Sequence, residues 1–374
     1  MTDKKLFIIV NVDWFFLSHR LPLARVLKEK GYDVFILTKN TGYKTEIESY
    51  GLHFININFE RSGKNIFKEL AIIKNLVFLF RKYQPDITHN VTIKPAIYAS
   101  IALKFYKRKS MKCINAISGL GYNFTSERSG ILQKLLKKMM VFAYKGPIYF
   151  IFQNPDDETL YKKLGVLNNH NYRIIKGSGV DSEDFLYIEP QKKERVIIVF
   201  LARMLVDKGV YEYIGAANLL LSKMRDKAKF LLIGDIDEEN LASLSKKELE
   251  STEVPGYIEW KGFTKNVKGV YEEADIVCLP SYREGLPKSL VEAMAIGRPI
   301  VTTDVPGCRE CVQNGVNGFL VPVKSAASLA EALEKLIIDP ELRLKMGKAS
   351  REKMLTELSL KQVLTETLAY YEQI

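Results

Sequence analysis

Residues 280–299 read PSYREGLPKSLVEAMAIGRP, and the rest of the chain is organised around them. The run DIVCLP that leads into them has the length and apolarity of a buried strand. Gly285 permits a sharp turn, Pro287 suits the first position of a helix, and SLVEAMA continues with helix-favouring residues. The N–H groups of Leu286, Lys288 and Ser289 then gather at a helix N-terminus. Unpaired donors and the positive end of the helix dipole coincide there, which favours an anion. Glu284 in the loop and Glu292 on the helix flank that point, with seven residues between them.

A nucleotide-sugar presents a ribose, a pyrophosphate and a sugar in line. The helix N-terminus suits the pyrophosphate, and each carboxylate can accept two hydrogen bonds from a diol. Two glutamates alone would fit a solvated surface helix equally well. The segments that follow decide between them: Gly297-Arg298-Pro299, Gly307 to Glu310, and Asn317 to Val321. Taken in order, residues 283–321 resemble the donor-site signature of family 4 glycosyltransferases, retaining enzymes of the GT-B fold. The resemblance implies two Rossmann-like α/β domains facing across a cleft, with the C-terminal helix crossing back to the first. It also implies transfer without a metal or other cofactor.

The chain has 374 residues, a formal charge of +11, 47% hydrophobic and 26% charged residues. That length exceeds a usual single core, so two domains are expected. The excess of cations points to phosphates, nucleic acid or an acidic membrane face. Four cysteines suggest a reducing compartment rather than a disulfide scaffold. Lys4-Lys5 before LFIIV mimics a signal peptide, but Asn11 and Asp13 interrupt the run. No stretch approaches the roughly 20 apolar residues of a spanning helix. A cytoplasmic protein resting on the inner face of the membrane is the expectation.

The first half alternates strand-like runs (LFIIVNV, DVFIL, HFINI, DITH, KCINAI, IYFIF) with helical patterns, which argues a parallel sheet. Ligands of such sheets sit at the carboxyl ends of the strands. Residues 176–195 are polar and read as a linker, and a second alternation starts at VIIVFLA. The expected division is an acceptor-side domain over 1–178, a linker over 179–195, a nucleotide-sugar domain over 196–357 and a returning helix over 358–374.

The resemblance assigns further residues. Arg203 and Lys208, in LARMLVDKGV, match the family's basic pair beside the donor pyrophosphate, where they would stabilise the departing diphosphate. Gly234 closes FLLIGD in a Gly-x-Gly-like turn that lacks its second glycine, and Phe263 in EWKGFT borders the nucleobase segment. In the first domain the turn after the first strand, VDWFFLSHRLP, carries no glycine. His19 and Arg20 open the first helix and face the cleft on this reading, touching donor phosphate or acceptor; a locally bonded helix-end histidine is the alternative. Trp14, Phe15 and Phe16 read as buried loop packing.

His89 closes PDITH, as an acceptor-side group or a structural histidine, and Ser118-Gly119 stand where many relatives carry a histidine. The run Gly119 to Gly121 and the pair Arg61-Ser62 are similar to enzymes that build O-antigen or capsule repeat units. GILQKLLKKMMVFAYK, with apolar residues at 131, 132, 135, 136, 139 and 140, is either a core helix or a basic amphipathic helix on an anionic bilayer. Cys308 and Cys311 supply two ligands where a structural zinc wants four, and read as packing residues.

These readings describe a hexosyl-transferring enzyme that moves a sugar from a UDP-sugar to a lipid-linked saccharide at an anionic membrane surface. Glu284, Arg203 and Lys208 would act at the reacting sugar and diphosphate; Glu292, residues 286–289, Phe263 and Gly234 would hold the donor. A UDP-sugar 2-epimerase of the same fold and a non-catalytic sugar-nucleotide-binding subunit are the alternatives. No nucleic-acid motif accompanies the charge.

Overall fold

The computed structural model describes residues 4–59, 66–106, 108, 110–119, 131–168, 171–238 and 240–374, without the side chains of residues 66 and 131–136. Arg61, Ser62, Leu120 and Gly121 lie outside these residues. The chain divides into two compact units, Met1–Ser178 with Glu366–Ile374, and Gly179–Thr365.

The first unit is built on a seven-stranded parallel sheet of order β3-β2-β1-β4-β5-β6-β7. Its strands are β1 Lys5–Val12, β2 Asp33–Lys39, β3 His53–Asn56, β4 Ile87–Val91, β5 Lys112–Ile117, β6 Ile148–Phe152 and β7 Tyr172–Ile174. Its helices are α1 Asp13–His19, α2 Leu21–Glu29, α3 Lys44–Ser49, α4 Ile66–Tyr83, α5 Ile93–Tyr106, α6 Ile131–Tyr144 and α7 Pro155–Lys163. Strands such as FIIV carry apolar residues on both faces because helices cover both faces. On one face Phe7, Ile9, Phe35 and Cys113 pack with residues of α4, α5 and α6.

Three details depart from the sequence reading. The segment after β1 is a helix, α1, rather than an open turn, because buried Asp13 accepts from the amides of Thr41 (2.6 Å) and Trp14 (2.8 Å) and closes its start. His19 therefore ends α1 instead of opening the first helix, and its ring stacks on Phe15 at 4.1 Å. Of the three aromatic residues, Phe16 is buried in helix packing while Trp14 remains 38% exposed. In α6 Met139 and Met140 of the apolar stripe pack on the core with Ala143 and Tyr144, Phe142 is exposed, and the side chains at 131, 132, 135 and 136 lie outside the described residues.

The second unit has a six-stranded parallel sheet of order β10-β9-β8-β11-β12-β13. The strands are β8 Val196–Leu201, β9 Ala228–Ile233, β10 Ile258–Trp260, β11 Ile276–Leu279, β12 Ile300–Thr303 and β13 Gly318–Val321. Between them run α8 Val210–Met224, α9 Lys246–Ser251, α10 Val267–Glu273, α11 Lys288–Ile296 and α12 Cys308–Cys311, followed by α13 Ala326–Ile338 and α14 Pro340–Lys353. The last helix, α15 Leu360–Gln373, runs from this unit into residues that pack with the first. No helix among the described residues is long and apolar enough to cross a membrane.

Candidate active site

In the second sheet the strand order reverses between β8 and β11. Loops leaving the carboxyl ends of such a strand pair diverge and open a crevice, the usual ligand position of open parallel sheets. Arg203 and Lys208 follow β8, and Ser281 and Glu284 follow β11. Their convergence is therefore a consequence of topology as well as of local sequence.

Three glycines with positive φ draw the loops together. Gly209 (φ 80°) sits so close to β11 that a Cβ would lie 2.2 Å from the Pro280 carbonyl oxygen. At Gly234 (φ 140°) a Cβ would lie 1.9 Å from the Ala202 oxygen, and at Gly307 (φ 79°) 2.6 Å from that of Glu284. Only glycine combines these angles with that proximity. The Gly234 amide donates to Gly262 (2.8 Å), and the Trp260 indole N–H donates to the Gly234 carbonyl (2.9 Å). Phe263, just beyond, is 66% exposed.

Lys208 Nζ lies 2.5 Å from Glu284 Oε1, which also accepts from the Ser281 hydroxyl at 2.7 Å. The Glu284 amide donates to the Pro306 carbonyl at 3.2 Å. Arg203 is ion-paired with Asp237 and keeps 44% of its side chain exposed. Each cation thus already faces a carboxylate.

The helix α11 starts one residue later than the sequence suggested. Pro287 is its N-cap, with φ −73° and ψ 110°, and gives no side-chain cap. Pro287 has no hydroxyl or carboxylate with which to cap the first amides itself. Lys288 Nζ reaches Glu292 Oε1 at 3.3 Å, and the Tyr271 hydroxyl donates to Glu292 Oε2 at 3.4 Å. Burial raises the Glu292 carboxyl above the ordinary glutamate range, and Lys288 and Tyr271 partly offset it.

Several contacts escape sequence reading. Asp237, Ser281 and Tyr271 carry none of the spacing signals that expose Glu284 and Glu292, since each reaches its partner across a loop or between helices. Arg298 is 1% exposed and donates to the carbonyls of Tyr271 (2.9 Å), Ile188 (2.9 Å) and Glu272 (3.2 Å), fixing the C-terminus of α10. Cys308 and Cys311 are buried free thiols, and burial pushes Cys308 up to about 12.

In the first unit the strand order reverses between β1 and β4. The Asn11 amide donates to the Thr92 hydroxyl (2.8 Å) at that point, and Thr92 has φ 72°. Arg20 and His89 are not presented to solvent, with exposures of 6% and 2%. Ser118 and Gly119 lie just past β5, Gly119 with φ 96°.

Two Rossmann-like parallel-sheet units, with cations and carboxylates converging at the reversal of the second, define a protein of the GT-B type. The family described as Glycosyl transferases group 1 matches residues 181–353, and Glycosyl transferase 4-like matches residues 5–154. The chain belongs to the family 4 glycosyltransferases of the GT-B fold. An uncharacterized glycosyltransferase of Haemophilus influenzae is 31% identical over 88% of this chain and 89% of its own. The N,N'-diacetylbacillosaminyl-diphospho-undecaprenol alpha-1,3-N-acetylgalactosaminyltransferase of Campylobacter jejuni is 28% identical over 89% of this chain and 91% of its own. Among solved structures, Anabaena Alr3699/HepE in complex with UDP and glucose superposes with a TM-score of 0.80 at 15% identity, over 99% of this chain and 100% of that one.

Proposed function

We propose that this glycosyltransferase moves a sugar from a UDP-sugar, with retention of anomeric configuration, to a diphospho-lipid-linked saccharide during assembly of a bacterial surface polysaccharide, working at an anionic membrane face. The observation that carries the reading is the pair of cations, Arg203 and Lys208, at the sheet reversal beside a helix start without a side-chain cap. The Campylobacter relative, by its name, acts on a diphospho-undecaprenol acceptor, and the Anabaena neighbour holds UDP and glucose.

Arg203, Lys208 and the amides over 286–289 bind the pyrophosphate. Glu292 accepts from the ribose hydroxyls and Glu284 from the sugar ring. On donor arrival Lys208 shares its charge between Glu284 and the diphosphate. The bond from the anomeric carbon to the phosphate oxygen breaks, and a bond to the acceptor oxygen forms on the same face. The departing phosphate oxygen takes the acceptor proton. Positive charge fixed near the leaving oxygen lowers the barrier without a divalent ion or a side-chain nucleophile. His19, Arg20, His89, Ser118 and Gly119 belong to the first unit, where the acceptor is expected; buried His89 and Arg20 act as supports.

A panel of nucleotide-sugars with a lipid-linked acceptor, run in the presence of chelator, tests this. Transfer from a UDP-sugar is expected, with a product of unchanged anomeric configuration by NMR. Glu284→Ala should lower kcat at least about 100-fold, the scale of losing one transition-state contact. Unchanged turnover in that variant, or an inverted product, rejects the assignment.

A further inference from the structure

The helix α4 is apolar on both sides. Ile72, Leu76, Leu79 and Phe80 point into the core. Positions 67, 70, 74 and 78 form the opposite stripe by helical periodicity. There Phe67 is 83%, Leu70 55% and Phe78 59% exposed. One exposed leucine needs no explanation, but aligned exposed phenylalanines on one helix do.

The neighbouring helices extend this surface. α5 packs between α4 and α6, and all three share one core on the same face of the sheet. Phe105 at the end of α5 is 56% exposed and Phe142 on α6 is 54% exposed. Lys104 spans the two helices, with Nζ 5.3 Å from the Phe142 ring centre, and donates to the Lys145 carbonyl. The exposed charged residues of α4 are Lys68, Lys74, Arg81 and Lys82, and those described on α6 are Lys137 and Lys138. Among the exposed described residues of the three helices there is no carboxylate, and Glu69, half-buried, is paired with Lys94 at 3.0 Å.

We infer that the outer face of α4, α5 and α6 is the surface by which this protein lies on an anionic lipid bilayer. The inference rests on the lipid-linked acceptor proposed above and says which face meets the membrane. Aromatic rings enter the headgroup region, while lysine and arginine stems lie along it with their charges at the phosphates. A second copy of the chain would set cations against cations, so charge complementarity selects the bilayer. The contact does not use Met139 and Met140 of the amphipathic stripe read in α6, which pack on the core.

The test is co-sedimentation of the full chain with vesicles containing phosphatidylglycerol, compared with phosphatidylcholine alone, at low and high salt. Two double variants are compared with the wild type: Phe67→Ser with Phe78→Ser, and Lys74→Glu with Arg81→Glu. Melting temperature and UDP affinity serve as folding controls, because all four side chains are exposed. The wild type is expected to bind the anionic vesicles with salt sensitivity. The charge-reversed form should lose binding about tenfold or more, and the serine form should lose it even at low salt.

Equal binding to neutral vesicles, no binding, or wild-type binding by both variants overturns the proposal. So does displacement of the vesicles by DNA at physiological salt. Transfer to a water-soluble, short-chain acceptor should survive in both variants. If the wild type fails that transfer yet binds anionic vesicles as described, the catalytic reading falls and this surface stands.

Discussion

The hydroxyl of Tyr371 lies 2.6 Å from Nδ1 of His89, a hydrogen bond that joins the end of the last helix to the fourth strand across 282 residues. Arg20, at the start of α2, completes a buried trio, its guanidinium donating to the His19 carbonyl at 3.0 Å. Burial, and then the Arg20 charge, hold the His89 imidazole down at about 3, and burial lowers Arg20 to about 10. His89 Nε2 and Arg20 Nε are buried without a partner, so the cluster is sensitive to any further loss.

The depressed His89 value makes the first unit acid-sensitive. The folded state binds this proton less tightly than the unfolded chain, so the stability is present above the ordinary histidine value and is lost as pH falls toward about 3. Between about pH 7 and pH 5 the loss from this group should be about 2 kcal/mol. Urea unfolding followed by Trp14 fluorescence, in a Trp260→Phe background, should show that slope. In His89→Gln the slope should flatten; an unchanged slope refutes the buried neutral imidazole.

Removing the phenol isolates the tail contact. Tyr371→Phe leaves both ring nitrogens of His89 unpartnered, at a cost of about 1–3 kcal/mol. Limited proteolysis should then release the C-terminal residues before the rest of the first unit opens. A variant that melts like wild type and keeps its tail protected contradicts this account.

Glu292 should make donor affinity fall on the acid side. Its carboxyl is raised by burial, so protonation begins at a pH above the ordinary glutamate range. The protonated form accepts fewer hydrogen bonds from a diol, so UDP dissociation constants should rise as pH drops through that raised value. In Glu292→Gln affinity should be about tenfold weaker at neutral pH, the scale of one charge-assisted bond. It should also lose its pH dependence in calorimetric titrations. The folding sign is opposite: the stability linked to this group is greatest below the ordinary glutamate value and declines as pH rises through the raised one.

Gly307 separates shape from charge. Alanine there combines a positive φ with a Cβ 2.5 Å from the Gly285 oxygen and 2.6 Å from that of Glu284, so the loop bearing Glu284 must shift. A displacement of about 1 Å at a positioning group is enough for about a 100-fold loss in kcat/KM. The Lys208–Glu284 ion pair should no longer close in a structure of Gly307→Ala. Full activity in that variant excludes the tight approach as a requirement.

What the linear chain determined was the repeating unit and its punctuation. Runs such as KCINAI and IYFIF are buried on both faces, and their residue types and lengths foretold the strands Lys112–Ile117 and Ile148–Phe152 at their observed bounds. Glu284 and Glu292 were legible because their spacing stands within a run, residues 283–321, that resembles the family 4 donor-site signature. Arg203 and Lys208 were legible by their resemblance to the family's basic pair, at its expected place after a strand. The helix Asp13–His19 was not legible, since the Asp13 carboxylate is satisfied by amides about thirty positions away in sequence. Only the tertiary structure set Lys208 on Glu284, Arg203 on Asp237, Tyr271 on Glu292 and Tyr371 on His89. Each is a pairing between segments whose proximity comes from strand order and helix packing, and neither of these leaves a periodic trace in sequence.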